Sequence, residues 1–172
     1  MKQHLPIFLI TTLLVWFSIP GCGYEVERPG LPGGASSISL GIIQNKTQQG
    51  GIDVKLKTFL RQAISSQSGF DVRDQQSSDT ILEVTINSFN ASRAIDITNT
   101  NISNLTYHLT GAMRLVDNRY SKEVLIDTSF NVVSTVIFSD FALETPAIRQ
   151  SAMETLLQKV ADQILQQINQ HF

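Results

Sequence analysis

Cysteine occurs once in the 172 residues, at position 22, and charged residues make up only 16% of the chain. A single thiol forms no intrachain disulfide, which excludes a disulfide-stapled mini-protein. Basic residues are not in excess, since 13 Lys and Arg stand against 15 Asp and Glu. No basic stripe runs along the chain, so nucleic acid is not an expected partner. GxGxxG, GxxxxGK[ST] and GxSxG motifs are all missing, so no enzyme and no cofactor are expected. Histidine is scarce, with three residues, and no His/Cys metal set can be drawn from them. Neutral polarity is abundant instead, with 9 Asn and 14 Gln.

The length fits one domain, which should remove roughly two thirds of its unfolded surface from water. The chain opens Met1-Lys2-Gln3-His4 and continues with an apolar run from Leu5 to Ile19. That run is shorter than the roughly 20 residues a spanning helix needs, and Pro6 stands near its start, so it reads as an export signal. Ile19-Pro20-Gly21-Cys22 follows. A small residue directly before a cysteine at the end of an apolar run resembles the bacterial lipobox, in which the thiol receives diacylglycerol and becomes the first mature residue. Residues 1–21 are thus expected as a lipoprotein signal and Cys22 as the lipidation site. Acylation would hold the protein on a bilayer at about 0.8 kcal/mol per buried CH₂. Gly23 rather than Asp after Cys22 points, by the bacterial sorting rule, to the outer membrane.

Residues 22–35 are rich in Gly and Pro and read as a tether. Residues 36–172 are expected as a single domain. Ile38, Leu40 and Ile42 alternate as in a strand. Ile52, Leu56, Phe59, Leu60, Ala63 and Ile64 share one helical face. A short strand is expected at Phe70–Val72, followed by long strands over 80–95, 105–116 and 123–137. The apolar phase changes after Ser88, which one uninterrupted strand cannot do while keeping one core face, so a bulge is placed there. Thr145 and Pro146 open a second helix whose apolar stripe runs from Met153 to Ile168. The order is β-α-β-β-β-β-α. The economical fold is an α/β two-layer sandwich, with two helices packed on a mixed four- to five-stranded sheet.

The second sheet face is expected to carry Ile81, Leu125, Val133 and Ile137 among threonines, with Thr110 and Thr128 as candidates for facing a partner. Such a neutral wall could be solvated or could fill the inside of something larger. Arg93, Arg114, Arg119 and Lys122 are read as one local basic group near the turn at 117–121. It could contact a phosphorylated glycolipid or simply solubilise a strand end. His108 and His171 are read as structural or terminal. Asp71, Asp74 and Asp79 have only weak calcium-loop spacing, and metal binding is not expected.

Gly21-Cys22-Gly23-Tyr24, Leu31-Pro32, Ser37-Ile-Ser-Leu-Gly-Ile-Ile-Gln-Asn-Lys-Thr47, Ser78-Asp79-Thr80-Ile81-Leu82 and Tyr107-His-Leu-Thr-Gly-Ala-Met-Arg-Leu-Val-Asp117 together resemble the LPS-assembly lipoprotein LptE family. The resemblance covers nearly all of residues 22–170 and departs from the family pattern at Ser78, where a small Ala is usual. It implies an α/β sandwich that plugs the β-barrel of LptD, assists its assembly and binds lipopolysaccharide (LPS). Arg93, Arg114 and Lys122 are not matched one-to-one with the family's basic residues. The alternative expectation is a lipid-anchored adapter or regulator domain that binds a soluble periplasmic protein.

Overall fold

The computed structural model describes residues 31–66, 71–95, 102–120, 122–139 and 145–171. Cys22, the expected signal, Phe70 of the expected short strand and residues 96–101 lie outside them. The chain forms β1 (Ser37–Asn45), α1 (Ile52–Ser66), β2 (Asp71–Val72), β3 (Thr80–Ile95), β4 (Ile102–Asp117), β5 (Val124–Ser139) and α2 (Pro146–Asn169). A short 3-10 turn at Pro32–Gly34 precedes them. The Thr145 Oγ1 caps α2 by accepting the N–H of Ile148 at 3.3 Å. Pro146, which has no N–H to leave unpaired, opens the first turn.

The strands lie in the order β2-β1-β3-β4-β5. β1 runs parallel to β2 and β3, whereas β3, β4 and β5 are mutually antiparallel. Parallel neighbours need a crossover, and α1 supplies it. Both helices cover the same sheet face, and the architecture is the expected α/β two-layer sandwich. Leu56, Leu60 and Ile64 of α1 join Leu156, Leu157, Val160 and Ile164 of α2 over Leu82, Val84, Ile86, Leu109, Met113, Leu115 and Phe130 of the sheet. Each such side chain contributes about 1.5–3 kcal/mol by leaving water. Gly111 lies opposite Phe130 in the β4–β5 ladder. A Cβ there would run into the Phe130 ring and the Thr85 carbonyl, so the ring takes the space a side chain would occupy.

Three register shifts adapt the sheet to this cover. The one between Ile86 and Ser88 lies where the change of apolar phase places it. A second, between Leu40 and Ile43 in β1, overturns one expectation. Ile42 does not continue the inward row of Ile38 and Leu40 but is 69% exposed, and Ile43 packs against the core in its place. A Cβ on Gly41 would come within 2.8 Å of Ile81, so glycine permits the close passage at this bulge. The third falls between Leu115 and Val116 and absorbs Leu125 of β5.

The folded body also begins earlier than the composition of 22–35 suggests. Leu31 and Ala35 are each 2% exposed, belong to the core and pair with each other. A polar network fixes this entry. Oδ2 of Asp79 accepts the backbone N–H of Ser36 at 2.9 Å, the Ser36 hydroxyl at 3.0 Å and the N–H of Ser37 at 3.2 Å. Arg119 Nη2 donates to Asp117 at 2.8 Å and to the Gly33 carbonyl at 2.9 Å. The Asn118 N–H donates to the Asp79 carbonyl at 2.8 Å. The chain entry, the start of β3 and the β4–β5 turn are thereby locked at one end of the sheet.

The Ser36 N–H, with the Ser36 and Ser37 groups beside it, holds the Asp79 carboxyl below its ordinary value of 3.8. Hydrogen bonds from Arg119 do the same for Asp117. Both folded values lie below the unfolded ones. Their contribution to stability is therefore complete above the unfolded value and is lost as pH falls through the folded values. The urea midpoint should drop below about pH 4, and Asp79→Asn with Asp117→Asn should start lower at neutral pH and fall less on acidification. Parallel pH profiles for the two proteins would contradict this. Leu60→Asp or Leu157→Asp should each destabilise the fold by more than about 4 kcal/mol, because a carboxylate is buried without a partner. Lys57→Ala, on the exposed face of α1, should change it by under about 0.5 kcal/mol; urea melts of the three variants check the helical phase.

Candidate functional site

The bulge in β3 decides which side chains of its distal half meet the helices. Before it, Leu82, Val84 and Ile86 point inward. After it, Phe89 pairs with Leu109, Ala91 with Tyr107 and Arg93 with Leu105, so the odd-numbered residues take the inward side. Phe89 and Tyr107 stack with ring centroids 5.6 Å apart, and Tyr107 is 2% exposed. These side chains, with Leu105 and Met153, form the apolar floor of a groove of about 520 Å³ between the sheet and the openings of both helices. Lys55 from α1, Arg93 from β3 and Arg149 from the first turn of α2 line the same groove.

Among the described residues that line the groove, none is a carboxylate, and Arg93 and Arg149 each already have an interaction partner. The first turn of α2 carries no acidic residue, so the positive end of its dipole adds to the three cations. An apolar floor beneath a cationic rim suits an amphiphile with an anionic head. A groove of this volume lies within the usual range for a ligand pocket.

The four basic residues read together in the sequence do not come together. β3 and β4 pair from Thr80↔Asp117 to Ile95↔Ser103, so Arg93 and the β4–β5 turn sit at opposite ends of the hairpin, roughly 40 Å apart at about 3.3 Å per residue. Arg119 is held by Asp117 and Gly33 and lies 5.9 Å over the Tyr120 ring. Arg114 is on the outer face, 3.9 Å from Glu83 and 3.6 Å from Asp127. Lys122 is exposed in the turn at φ 51°. Lys55 and Arg149 were not singled out from the sequence. The signal for Arg149 was present, since a cation in a helix's first turn opposes the dipole and calls for a reason.

The outer sheet face carries hydroxyl pairs between strands. Thr110 and Ser88 are 2.6 Å apart, and Thr106 and Thr135 are 3.1 Å apart. His108, Val133 and Ile137 are exposed among them, while Ile81 is covered and Leu125 is half-buried. Thr128 departs from the expectation that it shares this face with Thr110. It pairs with the buried Met113 and falls between Ile126 and Phe130 on the even-numbered, helix-covered side. Among the described residues no group of three or more His, Cys, Asp or Glu could hold a metal ion.

Comparison with known proteins bears on both features. No curated protein matches the chain. Among solved structures, the protein CT253 of Chlamydia trachomatis is similar at a TM-score of 0.56 and 8% identity, covering 79% of this chain and 96% of its own. A structure described as a lipoprotein from Caulobacter crescentus CB15 is similar at a TM-score of 0.51 and 16% identity, covering 74% and 88%. At those identities the likeness shows the fold. The family model for LptE, lipopolysaccharide-assembly, matches residues 35–171, the whole folded body apart from its entry turn. The chain therefore belongs to the LptE family of non-catalytic outer-membrane lipoproteins that assist the LPS translocon.

Proposed function

We propose that this chain is the plug and assembly partner of the LptD β-barrel, held on the outer membrane by acylated Cys22, and that the basic groove contacts LPS directly. Family membership implies association with LptD and LPS. The observation that carries the finer reading is the convergence of Lys55, Arg93 and Arg149 on one apolar groove, whose described lining residues include no carboxylate. Lipid phosphates would be met by guanidinium groups able to bind two oxygens at once, and the apolar floor would take part of the acyl region. The outer face, with Thr110 and its hydroxyl partners, would lie against the polar lumen of the barrel, where such groups keep their hydrogen bonds. Arg114, Arg119 and Lys122 stand apart from the groove, so they are not part of this contact.

Arg93→Glu combined with Arg149→Glu should weaken LPS binding by at least about tenfold, or about 1.4 kcal/mol, while the urea midpoint and copurification of the barrel persist. Arg114→Glu should leave LPS binding near the unchanged level. Equal losses from both would show that the groove is not the contact.

A photocrosslinker at Thr110 should capture the barrel, whereas one at Thr128, beneath the helices, should not, and one at Gln163 on α2 should capture it weakly. Intact mass of the membrane-extracted protein should show loss of residues 1–21 and a lipid adduct on Cys22. An unmodified thiol there would overturn the anchor. Strong capture of a soluble periplasmic protein at Gln163, with Thr110 silent, would favour an adapter instead.

A further inference from the structure

β5 is the last strand of the sheet, and sixteen residues make it a long edge. Edge strands of stable monomers are usually short, bulged outward, or guarded by proline or lysine. β5 contains no proline, lysine or arginine, and Asp127 is its only charged residue. Its one register shift, at Leu125, lies at its beginning.

The register shows which backbone groups are turned outward. The Asp117 N–H is directed at β5, where it donates to the Glu123 carbonyl at 2.8 Å. Odd-numbered β4 residues therefore face β5, and their partners are the even-numbered residues Ile126 to Val136. The N–H and C=O groups of Asn131, Val133, Thr135 and Ile137 consequently point away from the sheet. Ser129 belongs to the same outward set, and its carbonyl accepts Gln167 Nε2 of α2 at 3.1 Å. The other end of that amide, Gln167 Oε1, is shut off from solvent and has no hydrogen-bond partner. An acceptor without a donor thus stands beside an edge whose own polar groups have no partner among the described residues. Val133 and Ile137, 42% and 68% exposed, continue from this edge onto the outer face.

We infer that the Asn131–Ile137 edge of β5 is a docking strand that pairs with an extended, uncharged segment of the barrel partner. Only another extended backbone offers donors and acceptors at the repeat this edge requires. The wall strands of a closed barrel have no free edge, so the segment comes from a loop or an extension outside the wall. Side chains of this segment would pack on Val133 and Ile137. This inference rests on the proposed barrel partnership, because continuity with the outer face is what selects the barrel protein over a second copy of this chain.

The test is hydrogen exchange at residue level on the lipidated full-length protein, free in detergent and in the purified complex with its barrel. The amides of Asn131, Val133 and Thr135 should exchange at least about tenfold more slowly in the complex, and those of Ile126, Phe130 and Val132, already within the ladder, should change little. Asn131→Pro removes only an outward donor and is tolerable at an edge. It should lower barrel copurification several-fold while the urea midpoint stays close to that of the unchanged protein. Unchanged exchange of the three amides in an intact complex overturns the docking strand and leaves the partnership standing. Failure of any barrel to copurify with the unchanged protein overturns both. If the three amides are already protected in the free protein and its mass is that of a dimer, a second copy occupies the edge and the inference fails.

Discussion

One sheet face carries both helices, and the apolar residues of β3 change parity along its length, which an unbroken period-two strand cannot accommodate on one face. The extra residue in β3 between Ile86 and Ser88 resolves the conflict. It moves the inward set from even to odd numbers, so the strand stays apolar beneath α1 and α2 and then delivers Phe89, Ala91 and Arg93 to the helix side. Without it, Ser88, Asn90 and Ser92 would face the helices and the arginine would point away. The bulge in β1 acts on a neighbouring strand, bringing Ile43 inward and leaving Ile42 outside. Bulges commonly lie next to functional sites because they re-aim a side chain while the ladder continues on either side.

The two ends of the sheet have opposite chemistry. At the entry end, cations are neutralised locally: Arg119 is shared between a carboxylate and the Gly33 carbonyl, and Asp79 is surrounded by donors from Ser36 and Ser37. These bonds make the residues at the chain entry part of the rigid body. At the far end, Lys55, Arg93 and Arg149 line a groove whose described lining residues include no carboxylate. The chain entry at one end of the sheet and the cationic groove at the other lie roughly the length of the β3–β4 hairpin apart. On the proposed reading, the same sheet separates attachment from ligand contact.

Much of the fold was legible because its strongest signals are periodic. The stripes Ile52–Ile64 and Met153–Ile168, the alternation in β4 and β5 and the phase change in β3 each reflect burial on a single face, and each lies where that pattern puts it. Thr145 and Pro146 were legible as a helix start because capping is local chemistry. Ile42 was not, because the bulge depends on Gly41 passing Ile81, a tertiary contact without a sequence period. Thr128 follows its parity, even-numbered like Ile126 and Phe130, and a strict count along β5 assigns it to the covered side. The grouping of Arg93 with Arg114, Arg119 and Lys122 failed for a topological reason. Neighbouring strands bring residues together only at matching register, and Arg93 matches Leu105 rather than the turn after Asp117.

What distinguishes a binding cation from a structural one here is its surroundings. Arg114 has Glu83 and Asp127 across the neighbouring strands, so an approaching phosphate would compete with two carboxylates at an exposed site, where each ion pair is worth little and the local field is nearly cancelled. Arg93 and Arg149, each with an interaction partner of its own, line the groove beside the stacked Phe89–Tyr107 pair, and no acid is among its described lining residues. On the proposed reading, a phosphate entering there would meet several positive groups at once, beside apolar surface that lowers the local dielectric and strengthens each contact. The acyl part of the same molecule would gain by covering that surface, so head and chain would favour one site together. Neither half of this arrangement follows from the modest net charge of the chain. It follows from where the β3 bulge and the start of α2 set down three cations.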